Sequence, residues 1–246
     1  MRFYRHAARL QTVSQPIKEA IAAELPRGSD LVRCIPNPLP EATFDEPSAT
    51  GTHGDLQLLY VGRVHPEKGL DLLIQALLTL GGGWRLTVVG PAEVSDGGGG
   101  EKYFDELRTL AQPIADRVEW VGAVYDRTAL AGHYRSASLF VYPSMAERGE
   151  TFGLAPLEAM SHGCPALVSD LPCFGEYLVD GRNGFAFARA GGAAALQSKL
   201  RGLLDHRELV EAARAPALDK AKEFSVSEIA EMYLRDFAHL LEHGRA

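Results

Sequence analysis

The stretch ERGETFGLAPLEAMSHGCPALVSD, residues 147–170, reads as a glycine-punctuated loop, a short apolar helix and a strand in immediate succession. LAPLEAMSH favours helix overall, because its one proline falls in the first turn, where the missing N–H is harmless, and Gly163 followed by Pro165 stops the helix. PALVSD, 165–170, is then a short apolar run of strand type. Working outward, similar runs occur at LQLLYVG (56–62), WRLTVVG (84–90), RVEWVG (117–122), SLFVYPS (138–144) and GFAFA (184–188). Between them lie segments of helical periodicity: GLDLLIQALLTL, EKYFDELRTLAQ and DRTALAGHYRSA, the last with Asp126 as an expected N-cap. Strand and helix alternating with short connections predict an α/β fold, a Rossmann-like parallel sheet with helices on both faces. Ligands of such sheets bind outside the carboxyl ends of the strands.

The helix inside the opening stretch starts at that edge. The amides of Phe152, Gly153 and Leu154 precede its first hydrogen-bonded turn, and free N–H groups at a helix start attract phosphate. Gly153 lets a ligand approach the backbone closely. Glu150 precedes the helix and Glu158 lies about 6 Å along it from its start. A ligand with hydroxyls at both ends and a diphosphate between them uses all three features, and that description fits a nucleotide sugar. Cations for the diphosphate come from GRVHPEKG, 62–69, which puts Arg63 and Lys68 in the loop after the first strand, flanked by Gly62 and Gly69. This loop is not GxGxxG, which counts against a dinucleotide oxidoreductase. The glycine run DGGGGE, 96–101, is followed by no Gly-Lys-Ser/Thr, so it reads as a flexible loop and not a phosphate loop.

Composition bounds the alternatives. The chain has 246 residues, 46% of them hydrophobic, with a formal net charge of -7, an ordinary globular balance without the lysine- or arginine-rich block that a nucleic-acid partner needs. The start MRFYRHAARL lacks the apolar centre of a signal peptide, and no run of 18 apolar residues occurs, so a cytoplasmic location is expected. Arg2, Arg5 and Arg9 there fit either a solvated helix face or a membrane-touching one. Cys34, Cys164 and Cys173 form no CxxC pair and are expected as reduced thiols. His162 near Cys164 has no second ligand pair at metal spacing, and the sequence contains no Asp-x-Asp.

The first 54 residues break the alternation. TVSQPIKEAIAAEL reads as a strand end and a helix capped by Ser14, LVRCIPNPLP as extended, and DEPSATGTHGD as a linker. The expected division is therefore a remnant at 1–54, a Rossmann-like domain at 55–222 and a final helix at 223–246, whose Ile229, Met232, Tyr233 and Phe237 fall on one stripe.

GRVHPEKG, VVG, VEWVGAV and ERGETFGLAPLEAMSHGCPALVSDLPCFGEYLVDGRNGFAF together resemble the retaining glycosyltransferases of family 4, which have the two-domain GT-B fold. The resemblance runs from about Gln57 to Ala188 and includes that family's paired glutamates, here Glu150 and Glu158 with seven residues between them. It implies that this chain is the donor-binding half of a hexosyltransferase of polysaccharide or glycoconjugate synthesis, with most of the N-terminal acceptor domain absent or supplied as a separate subunit. Arg63 and Lys68 would neutralise the diphosphate of a UDP-, GDP- or ADP-sugar, and Glu158 would bond the ribose. The amides of Phe152, Gly153 and Leu154 would bind the phosphates, Gly62 and Thr151 would also belong to the donor site, Glu150 would meet the sugar hydroxyls, and Val121 and Gly122 would border the base. Arg63, Lys68 and Glu150 are the implied catalytic set, with no metal and no other cofactor. Peripheral membrane contact would run through the acceptor half. Glu176 follows the family pattern near the donor, or is an exposed glutamate at a helix start. Two other readings stand beside transfer: a module that binds a nucleotide sugar without transferring it, and a glycoside hydrolase using Glu150 and Glu158, which would have no use for the two cations.

Overall fold

A computed structural model describes residues 7–25, 31–39, 44, 54–146 and 149–243. Six parallel strands, β3 (Leu56–Val61), β4 (Trp84–Val89), β5 (Val118–Gly122), β6 (Leu139–Tyr142), β7 (Ala166–Ser169) and β8 (Gly184–Phe187), form a sheet in the order β5-β4-β3-β6-β7-β8. Each lies within one of the apolar runs of the sequence. β6 and β7 are buried at every position, as strands covered on both faces must be, whereas the edge strand β5 is mostly accessible. The covering helices are α2 (Leu70–Leu78), α3 (Glu101–Leu110), α4 (Arg127–Ser136), α5 (Leu154–Ser161), α6 (Gly192–Asp205) and α7 (Arg207–Lys222). Asp126 caps α4 as expected, its Oδ1 accepting from the Ala129 N–H at 2.8 Å.

The chain winds outward from β3 through β4 to β5, then returns to β6 on the other side of β3 and winds through β7 to β8. The direction of winding reverses between β3 and β6. The carboxyl ends of the strands on either side of such a reversal are the place where doubly wound sheets take ligands.

The amino-terminal residues form a separate small unit. β1 (Leu10–Thr12) pairs in parallel with β2 (Val32–Cys34), connected by α1 (Gln15–Ala23). Ile35 and Leu39, just beyond β2, enter the main core, and the Leu39 N–H donates to the Phe224 carbonyl at 2.8 Å. Ser14 is the N-cap residue of α1, but its side chain makes no capping bond and its Oγ is buried without a hydrogen-bond partner. The cap comes from Glu176 instead, whose carboxylate accepts from the Gln15 N–H. Most of the expected linker, Arg2 and Arg5 lie outside the described residues. Arg9 pairs with Asp236 at 3.0 Å.

The final helix, α8 (Val226–His243), buries only part of the stripe read from the sequence. Ile229 is in the core and Met232 and Tyr233 pack against it, but Phe237 is half exposed, and Leu234 and Leu241 stand out beside it. No helix among the described residues is long and apolar enough to cross a membrane. The three cysteines are free thiols, Cys164 and Cys173 buried.

Candidate functional site

The loop after β3 is built to bring Lys68 inward. His65 Nδ1 accepts from the Glu67 N–H at 3.3 Å and so caps the tight turn Pro66–Lys68, a role for His65 that its sequence context does not announce. The turn ends at Gly69 with φ 70°, and a Cβ there would sit 2.1 Å from the Pro143 carbonyl oxygen. Only glycine tolerates both the left-handed backbone and that approach. The Met145 N–H closes the contact by donating to the Glu67 carbonyl at 2.8 Å. The loops after β3 and β6 are thereby clamped together across the switch point.

Lys68, 7% exposed, lies in that clamp. Its Nζ is 2.8 Å from Glu150 Oε2, and the same oxygen accepts from the hydroxyls of Ser144 at 3.0 Å and Tyr142 at 3.2 Å. Charged groups this deeply buried persist only when paired and hydrogen bonded, and this carboxylate receives three donors on one oxygen. Tyr142 is fixed by stacking on Tyr60 and Phe140. Burial and the Glu150 charge raise its hydroxyl far above the ordinary tyrosine range, so it remains a donor. Ser144 is held in turn by Ser169, whose Oγ donates to its carbonyl at 2.6 Å. The sequence assigns Glu150 and Lys68 to one site, yet it does not reveal that they contact each other, nor that Ser144 and Tyr142 complete the group. SLFVYPS carries the signal only in retrospect, as a strand that ends in two hydroxyl residues at the expected edge.

Arg63 is more open. Its guanidinium donates to Glu67 Oε1 at 2.7 Å and to the Gly97 carbonyl at 2.8 Å, with 43% of the side chain exposed. The glycine run is therefore not a slack loop. Gly98, Gly99 and Gly100 donate in order to the carbonyls of Glu93, Val64 and Ala92, folding the segment against the β3 loop and presenting Gly97 to Arg63. Gly62 closes β3, its N–H donating to the Val89 carbonyl at 3.0 Å.

Helix α5 begins at Leu154 with Gly153 as N-cap, φ 76°. The sequence assigns this glycine to ligand approach, but packing demands it as well. A Cβ at Gly153 would meet Phe174 Cε1 at 2.5 Å, and Tyr177 Oη donates to the Gly153 carbonyl at 2.7 Å. Phe152 is 1% exposed and packs edge-on to Tyr177, so its ring is core, while Thr151 is exposed beside it. Glu158, farther along α5, accepts at Oε2 from Tyr134 Oη at 3.1 Å. Burial raises its carboxyl above the usual range, opposed by the Tyr134 hydrogen bond and the charge of Arg127. The two glutamates thus have different partners: Glu150 a lysine and two hydroxyls, Glu158 a tyrosine. At the end of β5, Val121 is half-buried and Gly122 exposed. Gly122 borders a cavity of about 530 Å³ whose lining includes Gly90, Phe104, Trp120 and Ala123. Among the described residues no group of three His, Cys, Asp or Glu side chains is placed to hold a metal ion.

Fold and site together define a doubly wound α/β domain in which a buried lysine–glutamate pair joins the loops on either side of the sheet's reversal. The chain belongs to the glycosyl transferases group 1 family, whose model matches residues 44–218. It is 33% identical over 160 residues to the lipopolysaccharide core biosynthesis mannosyltransferase LpcC of Rhizobium leguminosarum bv. viciae, covering 63% of this chain and 43% of that protein. It is 31% identical over 211 residues to the phosphatidyl-myo-inositol mannosyltransferase of Mycolicibacterium smegmatis, covering 85% and 52%. The chain spans about half the length of the curated relatives it matches. Among solved structures, HepE from Anabaena in complex with UDP superposes with a TM-score of 0.81 at 22% identity over 96% of this chain and 65% of that one, which is a likeness of fold.

Proposed function

We propose that this chain is the donor-binding half of a retaining glycosyltransferase, taking a nucleoside-diphosphate sugar without a metal ion. One observation carries the reading: Lys68, on the loop after β3, lies 2.8 Å from Glu150, which precedes the Gly153 N-cap of α5, so that loop and the helix start come to the same edge of the sheet. A diphosphate is the ligand whose charge and length suit both. Glu158 then receives the ribose hydroxyls and Glu150 the sugar. Glu150 keeps Oε2 for Lys68, Ser144 and Tyr142, and among the described residues its other oxygen has no protein partner. Support also comes from the relatives, two of which are named as mannosyltransferases, and from a fold neighbour determined with UDP.

In the proposed transfer, the bond from the anomeric carbon to the diphosphate oxygen breaks on the face where the acceptor oxygen bonds. The acceptor's proton passes to the departing phosphate. Glu150, held by three donors, orients the sugar and forms no covalent bond to it. The acceptor site belongs to the half of the relatives' length that this chain does not span. Calorimetric titration with UDP, GDP and ADP, each with and without EDTA, tests the reading: at least one should bind, and bind equally well with the chelator. Binding abolished by EDTA, or absent for all three, would refute it. Binding of a nucleotide sugar with no transfer even when an acceptor domain is supplied would favour the second reading, a non-catalytic binding module.

A further inference from the structure

Tyr134 is the one buried side chain of α4, 2% exposed on a helix whose other residues are accessible. Its ring stacks on His162 with centroids 5.6 Å apart and planes at 10°, and tilts against Phe140 at 5.9 Å. Held on two sides, the phenol has little freedom, and its hydroxyl projects from α4 to α5 to meet Glu158 Oε2 at 3.1 Å. On the reading that Glu158 meets the ribose, we infer that Tyr134 is a positioning residue of the nucleotide site, fixing one oxygen of the Glu158 carboxylate so that the other accepts from the ribose hydroxyls. Packing alone does not account for the hydroxyl. A phenylalanine would fill the same space, whereas a half-buried carboxylate needs a donor to stay ionised.

Tyr134 is hydrogen-bonded directly to Glu158. Arg127, also on α4, acts on the carboxylate as a charge after the tyrosine hydrogen bond. The Cys164 thiol acts on Tyr134, and Arg214 of α7 acts on Cys164. Burial raises the Tyr134 hydroxyl well above its ordinary range, so it stays protonated and can only donate here. A hydrogen bond to the ionised form lowers a carboxyl pKa, so removing it raises that pKa. Ribose binding then fails at a higher pH than in the parent protein.

The test is Tyr134→Phe, titrated across pH with whichever of UDP, GDP and ADP the parent binds, and with inorganic pyrophosphate, which has no ribose. The nucleotide should bind about tenfold more weakly at neutral pH, the size expected for one hydrogen bond to a charged group, with the acid limb of its affinity profile displaced upward. Pyrophosphate should bind as before. In a Glu158→Gln background, Tyr134→Phe should add little further loss. Equal losses for nucleotide and pyrophosphate mean a structural role and overturn the inference, as does an unchanged nucleotide profile. A parent chain that binds pyrophosphate but no nucleotide overturns instead the donor-site reading on which it rests.

Discussion

Lys68 Nζ and Glu150 Oε2, 82 residues apart in sequence, lie 2.8 Å from each other, with side-chain exposures of 9% and 8%. Two loops on opposite sides of the sheet's reversal are joined by this pair, and each charge is tolerable only because of the other. Removing one partner strands the second. Lys68→Met should therefore destabilise the fold by about 3 kcal/mol, the lower end of what breaking a buried pair costs. The double variant Lys68→Met with Glu150→Gln should lose less than the sum of the two single changes. Urea denaturation of all four proteins measures the coupling; strictly additive losses would mean that the pair is not formed in solution.

The same pair determines how Glu150 should be probed. Alanine would leave Lys68 unpaired and confuse folding with binding, so Glu150→Gln is the informative change. It should weaken binding of the nucleotide sugar and leave the free nucleoside diphosphate nearly unaffected. Glu158→Gln should weaken both, by about tenfold for one lost hydrogen bond to a charged group. Four titrations decide it, and equal losses in all four contradict the division of roles.

Gly69→Ala should be among the more damaging single-methyl additions to the chain. The new carbon would overlap the Pro143 carbonyl at 2.1 Å in a left-handed backbone, and strain of this kind costs of order 1–3 kcal/mol. Because the turn carries Lys68, nucleotide affinity should fall with stability. Thermal melting and a UDP titration of the same preparation read both quantities, and an alanine variant that melts and binds like the parent contradicts the geometry.

The thiols offer a check on burial. Burial pushes both Cys164 and Cys173 up to about 12, so at pH 8 almost no thiolate exists at either. Cys34 is raised too, but it is only half-buried. An alkylating reagent should label Cys34 first and reach the other two on the timescale of unfolding, as mass spectrometry of timed samples would reveal. Prompt labelling of Cys164 would mean that β6 and β7 are less tightly closed than described.

On the proposed reading, in which the acceptor is held by a part of the relatives that this chain does not span, the isolated chain should transfer sugar to no acceptor, because positioning of the attacking hydroxyl supplies much of the rate gain in a bimolecular reaction. Product formation with a panel of acceptors, with and without the acceptor domain of a relative added in trans, is the measurement. Transfer by this chain alone at the reconstituted rate would place an acceptor site within it.

The strands and helices of the main domain were legible because apolar runs of four to six residues and leucines at helical spacing leave few alternatives. The edge of the sheet where the site lies followed from the parallel topology. What escaped reading is everything that depends on contacts distant in sequence. Lys68 reads as a cation for a diphosphate, but nothing in its context announces that Glu150 is brought to it. Ser14 looks like a helix cap, yet Glu176, 161 residues from Gln15, does the capping. The glycine run looks slack because composition does not record that its amides find carbonyls at Glu93, Val64 and Ala92. Tyr134 on a polar helix gives no hint of Glu158, and the stripe on α8 could not say which of its residues the core would reach.

The bond from Gln15 to Glu176 has a mechanical meaning. Glu176 closes the short turn Pro172–Glu176, whose Phe174 fills the space beside Gly153, and the next residue, Tyr177, grips the Gly153 carbonyl. A single stretch of six residues therefore holds the amino-terminal helix at one end and the start of α5 at the other. Rotation of the amino-terminal unit against the sheet must either break the Gln15 bond or drag this stretch with it, which makes residues 172–177 a lever between that unit and the amino end of α5.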